Sequence, residues 1–513
     1  MIKNLVGKQN INKESEIVVI GAGTVGLLIS SILSKKGFNV LTLESGKFNQ
    51  DTETHILNKV IYKKSFYNSS NIGRFRCLGG TSTRWGAALL PILDDDIVNA
   101  KWPILPNEIL KYRKDVENIF DLPNDKYFYQ DDLLANNSDF ILRYAKMPSF
   151  KNRNIYNVFK ENIEAKDGPE VWLNSTVIKF NVNNDNLDQV EAVSDDGSKI
   201  IVKGKHFIFA AGAIESTRLL LLLDKQNNNC IKNKSPNLGK FFCDHISIPV
   251  SDIKIKNQAQ LNKLFGYHFE KKQTMKNIRF ELNNDSNIRN LLPPFFARVV
   301  FTDMSGGYEN LRNFFRDIQK KKIPSFKHFI NLIKTLPWIV KAIWWRYFNR
   351  RLVFPKNSTL QTHIIMEQIS SINNEISLSK TEMDIYGQPL AEISWSISEK
   401  DSNNILNAAN LLKNFWESSL LKNNGDFKLY DDKKIMEEIK KGDGIHHPSG
   451  STRMSFNSEE GVVDKDLKIF SLSNSRVLST SVLPTGSGAN PTMTLFMLAL
   501  RLADQFTRVK NKI

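Results

Sequence analysis

Residues 16–46 restrict the possible folds more than any other part of the sequence. The segment reads EIVVIGAGTVGLLISSILSKKGFNVLTLESG. Its pattern predicts a short buried strand over Glu16–Ile20, a helix with an apolar face over Thr24–Lys36, and a second strand over Val40–Leu43. A strand, a helix and a strand of these lengths form one βαβ unit of a parallel sheet. The segment therefore predicts an α/β fold with a Rossmann-like unit.

A glycine-rich turn joins the first strand to the helix, with glycine at positions 21, 23 and 26. In such a unit the first glycine permits a tight turn, the second lets the backbone approach a pyrophosphate, and the third lets the helix pack closely on the strand. The helix N-terminus also presents free N–H groups to the phosphates. Glu44 ends the second strand, where a carboxylate can accept hydrogen bonds from ribose hydroxyls. We predict a site for NAD or FAD formed by Gly21, Gly23, Thr24, Val25, Gly26, Glu44 and Ser45.

A second glycine-rich turn favours FAD over NAD. Residues 76–91 read RCLGGTSTRWGAALLP, in which two glycines are followed by small hydroxylated residues and then by Trp-Gly. Small residues let backbone amides approach a flat, polar ring system. The predicted cofactor contacts in this turn are Arg76, Gly79, Gly80, Thr81, Ser82, Trp85 and Gly86.

Further blocks give the chain a family resemblance. FIFAAGAIESTRLLLLL (residues 207–223), NLGKFFCDHISIPV (237–250) and MEQISSINNEISLSKTEMDIYGQPLAEISWSIS (366–398) follow in that order, and the block 444–506 completes the pattern. On these motifs the chain resembles the glucose–methanol–choline (GMC) family of FAD-dependent oxidoreductases. Residues 482–504, VLPTGSGANPTMTLFMLALRLAD, are similar to the branch that contains pyranose oxidases and bacterial sugar or glycoside dehydrogenases.

The resemblance implies two domains built from discontinuous segments. The first is a Rossmann-like α/β domain of the GMC and p-hydroxybenzoate-hydroxylase type, which would bind FAD. The second is an α+β substrate-binding domain on an antiparallel sheet. The expected boundaries are 1–95, 155–245 and 443–513 for the FAD-binding domain, and 96–154 and 246–442 for the substrate-binding domain.

The resemblance also adds FAD contacts outside the two glycine-rich turns. They are Val177, Ala211, Gly212, Ser479, Pro491 and Thr492. Some sugar-oxidising relatives carry a histidine bonded to the flavin where this sequence has Arg84. Arginine cannot form that bond, so we expect noncovalent FAD.

Two adjacent histidines, His446 and His447, lie in the segment GIHHPSGSTRMS. A neutral imidazole has an ordinary pKa near 6.5, which suits the proton transfer that accompanies alcohol oxidation. The resemblance maps the catalytic histidine of the family onto His447 and the second catalytic position onto Asn490. Asn490 also precedes Pro491, a typical helix start, so it can serve as a helix cap.

The remaining site predictions concern the substrate and metals. We expect His446 and Gln368 near the substrate, although His446 can equally be a packing residue and Gln368 a strand surface residue. Adjacent residues in an extended segment point opposite ways, and no metal-ligand spacing accompanies the two histidines. We therefore predict no metal site.

These observations predict FAD-dependent oxidation of an alcohol group, on a sugar or glycoside, with hydride transfer to the flavin and His447 as general base. The alternatives are a non-sugar alcohol, or a non-redox lyase that holds an idle flavin. The sequence leaves the electron acceptor open among oxygen, a quinone and a protein. Three cysteines, with no CxxC pair, favour a reducing compartment, so we expect a cytoplasmic protein.

The formal net charge of +16 is spread along the chain without a nucleic-acid-binding signature, so we expect no nucleic acid partner. Residues 311–355 form a basic, aromatic-rich insertion in which Asp317 is the only acidic residue. A helix of this kind can lie in the headgroup layer of an anionic membrane, on its inner face, or pack on the substrate domain as an ordinary amphipathic element. Both interpretations stay open at this point.

Overall fold

The computed structural model describes residues 1–51, 55–129, 139–303, 336–355, 358–442 and 444–510. These residues form two large sheets, each with its own hydrophobic core, and one small sheet. The architecture confirms the predicted combination of a Rossmann-like α/β unit with a second unit on an antiparallel sheet.

The first large sheet contains the predicted βαβ unit. The strand Ile11–Ile20 pairs in parallel with Val40–Leu43 on one side and with Lys199–Phe209 on the other. It begins earlier than Glu16 because residues 11–14, partly exposed, continue the pairing with Lys199–Phe209. In order across the sheet the strands are Ile2–Asn4, Glu170–Leu173, Val40–Leu43, Ile11–Ile20, Lys199–Phe209, Asn186–Val193 and Thr176–Asn183, with Ser475–Val477 also paired to Lys199–Phe209.

The glycine turn of this sheet has the geometry that its sequence predicts. Gly21 has φ +106°, in the region that favours glycine, and its N–H donates to the Leu43 carbonyl at 2.7 Å. A Cβ on Gly26 would lie 1.9 Å from the Gly21 carbonyl oxygen. Only glycine at position 26 therefore allows the helix Thr24–Lys35 to approach the strand this closely.

The second large sheet is antiparallel throughout its described pairings. The helix Glu399–Ser418 packs on it and begins with a capping box formed by Ser398 and Asp401. In order across the sheet the strands are Gly425–Leu429, His245–Ile255, Ser358–Glu367, Phe295–Asp303, Met275–Leu282, Phe140–Met147 and Phe128–Tyr129, with His268–Phe269 paired to Met275–Leu282.

The side chains that follow residue 96 do not pack as the predicted domain boundary at this residue implies. Side chains between Ile97 and Tyr127 belong to the core of the first sheet. The helices Pro106–Leu110 and Arg113–Ile119 pack on the helix Pro491–Lys510, a long-range contact that the local pattern could not show. Within the predicted 96–154 segment, the strands Phe128–Tyr129 and Phe140–Met147 are the parts that belong to the second sheet.

A small three-stranded sheet also departs from the predicted division. Its strands Glu375–Met383, Pro389–Ser394 and Val60–Tyr62 combine residues expected in different domains. The helix Ala213–Gln226 packs against the first two of these strands, and Ile376, Ile393 and Trp395 join the core of the first sheet. Residues 375–395 thus pack with the nucleotide-binding unit.

The remaining helices connect and cover these sheets. The α-helices not yet given are Ser69–Ile72, Asp94–Val98, Phe150–Arg153, Ile155–Glu164, Gln258–Phe265, Leu336–Trp344 and Asp432–Lys441. The short 3-10 helices are Ile56–Asn58, Gly80–Thr83, Lys271–Gln273, Leu420–Asn423 and Thr480–Val482, and Trp345–Asn349 forms one π-helical turn.

The basic, aromatic insertion is described only in part, because residues 311–335 lie outside the described residues. The helix Leu336–Trp344 has no buried residue. Within the described ranges, no helix combines the length and the apolar character needed to span a bilayer.

Candidate active site

A cavity of about 900 Å³ runs from the nucleotide turn of the first sheet to the face of the second sheet. Its volume is at the upper end of the range of roughly 300–1,000 Å³ that is usual for ligand and cofactor sites. One half is lined by the two glycine-rich turns, and the other half by side chains of the antiparallel sheet and by residues 444–448.

The nucleotide half contains an ordered carboxylate. Glu44 is buried, and its two oxygens accept from the N–H groups of Ala22 and Gly46, each at 2.8 Å. Burial raises the pKa of Glu44, while these two backbone donors oppose that shift. The carboxylate is thereby held at the end of its strand, in the position predicted for a ribose contact.

The second glycine-rich turn lies directly against the first. Gly79 and Gly80 both have positive φ, and a Cβ on Gly80 would lie 2.7 Å from Gly23 Cα. Arg76 donates to Ser45 Oγ at 3.0 Å and forms an ion pair with Glu215 at 2.8 Å. The two turns and the start of the helix Ala213–Gln226 therefore form one continuous wall.

Most of the predicted cofactor residues meet at this cavity. Those that line it are Gly21, Gly23, Thr24, Val25, Glu44, Ser45, Arg76, Gly80, Thr81, Trp85, Gly86, Val177, Ala211, Gly212, Ser479 and Thr492. Four predicted contacts lie behind the wall, namely Gly26, Gly79, Ser82 and Pro491. Ser82, for example, donates to the Gly79 carbonyl and accepts from the Ile155 N–H, so its hydroxyl supports the turn.

His447 lies in the other half of the cavity and forms a hydrogen bond with a second histidine. His447 Nδ1 is 3.0 Å from His245 Nδ1, and His245 Nε2 is 2.7 Å from the Ser487 carbonyl oxygen. A carbonyl only accepts, so His245 must carry its proton on Nε2. Burial lowers the pKa of His245 to about 4, so this imidazole is neutral and its Nδ1 is an acceptor.

These contacts fix the tautomer of His447. Its Nδ1 must donate to His245 Nδ1. Burial lowers the pKa of His447 well below 6.5, and positively charged neighbours lower it further. A neutral imidazole with the proton on Nδ1 leaves a lone pair on Nε2. His447 is therefore prepared to accept a proton at Nε2, which is what a general base requires.

Asn490 occupies the position next to this lone pair. Its Nδ2 is 3.3 Å from His447 Nε2, and its Oδ1 accepts from Arg279 Nη2 at 2.5 Å. Because a guanidinium has no acceptor, Arg279 fixes the orientation of the amide, with the NH₂ group toward His447. His447, Asn490 and Arg279 all line the cavity, so a bound hydroxyl could contact both the base and the amide.

The two remaining substrate predictions have different outcomes. His446 lines the cavity and packs over Gly73, where an added Cβ would lie 2.4 Å from its Nδ1. Gln368 does not line the cavity. It is buried, and its amide binds Trp395 Nε1 and the Ser396 carbonyl, both at 2.8 Å. Both ends of the Gln368 side chain are thus used inside the protein, and the structure does not bring this residue to the cavity.

Asp244 was not predicted from the sequence. Its Oδ1 accepts from the N–H groups of His245 and His447 at 2.6 and 2.9 Å, and Tyr67 donates to its Oδ2. Asp244, His245 and His447 offer ligand atoms within 4.8 Å of one another, yet these hydrogen bonds already account for their order. The absence of a metal stays a prediction.

The signal for Asp244 and His245 was present in the sequence. The dipeptide Asp-His begins the strand His245–Ile255, within a motif that contributed to the family resemblance. Residues 243 and 449 form an isolated antiparallel bridge, as do residues 246 and 444. This pairing brings His245 beside His447, and only the fold reveals it.

The comparisons with known proteins agree with this geometry. Residues 370–499 match the family described as GMC oxidoreductase. A dehydrogenase of Armillaria gallica is 38% identical over 66 residues, which are 13% of this chain and 10% of that relative. The formate oxidase of Aspergillus oryzae RIB40, in a structure concerned with FAD modification, is 14% identical with a TM-score of 0.59, over 98% of this chain and 99% of that chain. The pyridoxine 4-oxidase of Mesorbium loti is 13% identical with a TM-score of 0.59, over 96% and 99%.

The cavity lies between a Rossmann-like nucleotide site and an antiparallel sheet, with an imidazole and an amide in its wall. This arrangement defines a nucleotide-binding protein of the two-domain type. Residues 370–499 match the GMC oxidoreductase family, and the chain shares its overall fold with the two oxidases. These matches confirm the resemblance seen in the sequence, and they imply FAD as the cofactor.

The residues of the cavity fit FAD. A Cβ on Gly23, Gly86 or Gly212 would meet no atom within 4 Å, so these three glycines leave open space where a cofactor can approach the backbone. Gly23 precedes the first residue of the helix Thr24–Lys35, whose N-terminal N–H groups suit a pyrophosphate. Glu44 would hold the ribose, and the wall from Thr81 to Gly86 would adjoin the ring system.

We predict that replacing His245 with phenylalanine slows flavin reduction by about 10–10²-fold, because His447 then loses the acceptor that selects its tautomer. Stopped-flow measurement of anaerobic flavin reduction checks this. His245→Gln, which can still donate to Ser487 and accept from His447, should recover part of the rate. An unchanged rate in a His245→Phe protein that retains FAD would contradict the assignment.

Proposed function

We propose that the protein oxidises an alcohol group with FAD, and that His447 is the general base. The observation that carries this proposal is the unprotonated Nε2 of His447 beside the Asn490 amide, in the cavity that fits the cofactor. FAD supplies the hydride acceptor when it is bound. The two side chains receive the hydroxyl proton and hold the hydroxyl oxygen as the C–H bond breaks.

The base is neutral before the substrate arrives. Since burial lowers its pKa well below 6.5, His447 is unprotonated at neutral pH and loses activity only when a much lower pH protonates it. The acid limb of the rate of flavin reduction should therefore lie below the ordinary pKa of histidine. The negative charge that develops on the alcohol oxygen would be stabilised by the Asn490 amide.

Replacing His447 with alanine should reduce the rate of flavin reduction by about 10²–10⁴-fold without loss of FAD. The measurement is anaerobic bleaching of the flavin by substrate, with the flavin content as control. Normal bleaching in the variant would reject His447 as the base. A wild-type protein that no alcohol bleaches, but that cleaves a cyanohydrin, would instead be a lyase with an idle flavin.

The substrate proposed here is a sugar or glycoside. This proposal rests on the similarity of residues 482–504 to the branch of sugar-oxidising relatives, while the named structural relatives act on other compounds by their descriptions. A set of sugars, glycosides and aromatic alcohols, compared under anaerobic conditions, identifies the substrate class. Adding oxygen, a quinone or a protein acceptor to the reduced enzyme then identifies the acceptor.

We also propose that FAD is bound noncovalently. Arg84 lines the cavity at the position where some relatives bond the flavin, and its guanidinium has no nucleophilic nitrogen near neutral pH. Acid precipitation should therefore release the flavin into the supernatant. Flavin absorbance that stays with the precipitated protein would contradict the proposal.

Docking of residues 336–351 on an anionic bilayer is proposed as well. This aromatic–basic patch has no acidic residue in the sequence. Arg346 stacks on Phe269, which lines the cavity, at 3.9 Å, so the patch adjoins the active-site wall. Exposed aromatic and cationic side chains of this kind suit the headgroup layer. The large apolar side chains exposed on it are Leu336, Val340, Ile343, Trp344, Tyr347 and Phe348.

The protein should float with vesicles that contain phosphatidylglycerol, and less so with neutral vesicles. Phe348→Ser should weaken this binding, whereas Phe456→Ser, an equally exposed phenylalanine elsewhere, should not. Absence of binding by the unaltered protein contradicts the proposal. Self-association that Phe348→Ser abolishes would instead identify a second copy of the chain as the partner.

A further inference from the structure

Two arginines of the antiparallel sheet line the half of the cavity that contains His447. Arg279 lies on the strand Met275–Leu282 and Arg298 on its neighbour Phe295–Asp303. Neither residue was a sequence prediction, because the catalytic motifs of the chain lie elsewhere. Their charges need an explanation, since ionised groups are seldom buried without a partner.

Arg279 is incompletely paired. It is 4% exposed, donates to Asn490 at 2.5 Å, and stacks on the Phe296 ring at 3.8 Å. Its nearest carboxylate in the described residues is that of Glu281, whose Oε1 is 3.7 Å from Nε. The other oxygen of Glu281 binds Arg143 at 2.6 Å, so one carboxylate serves two guanidinium groups. The Nη1 atom of Arg279 is buried without a hydrogen-bond partner.

Arg298 has neither an ion pair nor a hydrogen bond within the described part of the chain, and its Nε is buried without an acceptor. Burial lowers the pKa of Arg298, and that of Arg279 to about 9, which is the direction expected for charges in a low-dielectric site. An oxyanion from the substrate would supply the missing acceptors. Guanidinium groups bind carboxylate and phosphate with two parallel hydrogen bonds.

We propose that the substrate is an alcohol that carries a carboxylate or a phosphate, bound by Arg298 and Arg279 with its hydroxyl group at His447. This inference rests on the proposed function and names the substrate class for the same site. Arg279 contacts Asn490, which in turn contacts His447. The anionic group and the oxidised carbon must therefore be close together, as in a hydroxy acid, an acidic sugar or a small phosphorylated alcohol.

Matched pairs of alcohols test the proposal by anaerobic flavin reduction. Glucuronate is compared with glucose, and glycerol 3-phosphate with glycerol, so that the two pairs separate carboxylate from phosphate recognition. We expect kcat/KM to be about 10–10²-fold higher for the anionic member of at least one pair. Arg298→Gln should remove this preference chiefly through KM, and Arg298→Lys should keep part of it. The control is Arg508→Gln, since Arg508 is exposed and does not line the cavity.

A second readout is independent of turnover. Acetate and inorganic phosphate are titrated into the holoenzyme, and the flavin absorbance spectrum and the thermal unfolding temperature are recorded. Saturable binding that Arg298→Gln weakens and Arg508→Gln does not supports the proposal. Equal kcat/KM within both pairs, or anion binding unaffected by Arg298→Gln, overturns it. If no alcohol reduces the flavin while Arg298-dependent anion binding persists, the proposed oxidation fails and the anion site stands.

Discussion

The hydrogen bond from His245 Nε2 to the Ser487 carbonyl is the contact on which the catalytic site depends. It decides where His245 carries its proton, and this decides which nitrogen of His447 is unprotonated. The Ser487 N–H in turn donates to Oε2 of the Glu367 carboxyl group. Burial raises the pKa of Glu367 to about 8, so this outer contact also lies in a low-dielectric environment. Buried contacts behind His447 thus determine which nitrogen of this base carries the proton.

The fold brings this chain of contacts together from three distant segments. His245 begins a strand of the antiparallel sheet, His447 lies in an irregular segment held by isolated bridges to that strand, and Asn490 immediately precedes the helix Pro491–Lys510. The same helix packs on the first helix of the nucleotide-binding unit. The position of the base relative to the cofactor site therefore depends on packing between both sheets, and local changes in either one would alter the catalytic geometry.

The sequence predicted the parts of the structure that follow from local pattern. The strand at Val40–Leu43 and the helix start at Thr24 agree with the structure, because glycine spacing and apolar periodicity act within one βαβ unit. The resemblance located His447 and Asn490. It did not reveal His245, Arg279 or Arg298, whose roles come from contacts across the sheet rather than from spacing. Gln368 shows the reverse case, since the end of a strand near the site does not reveal that its amide binds Trp395 and Ser396 inside the protein.

The arginines and the base also affect each other. Burial is the main reason why the pKa of His447 is low, and the positive charges of neighbouring groups, Arg279 and Arg298 among them, lower it further. An anion bound to these arginines would oppose that second effect and make His447 a stronger base. The base would then be weakest while the site lacks substrate and strongest when the alcohol is in place. The same two charges would in this way both select the substrate and adjust the proton transfer to its presence.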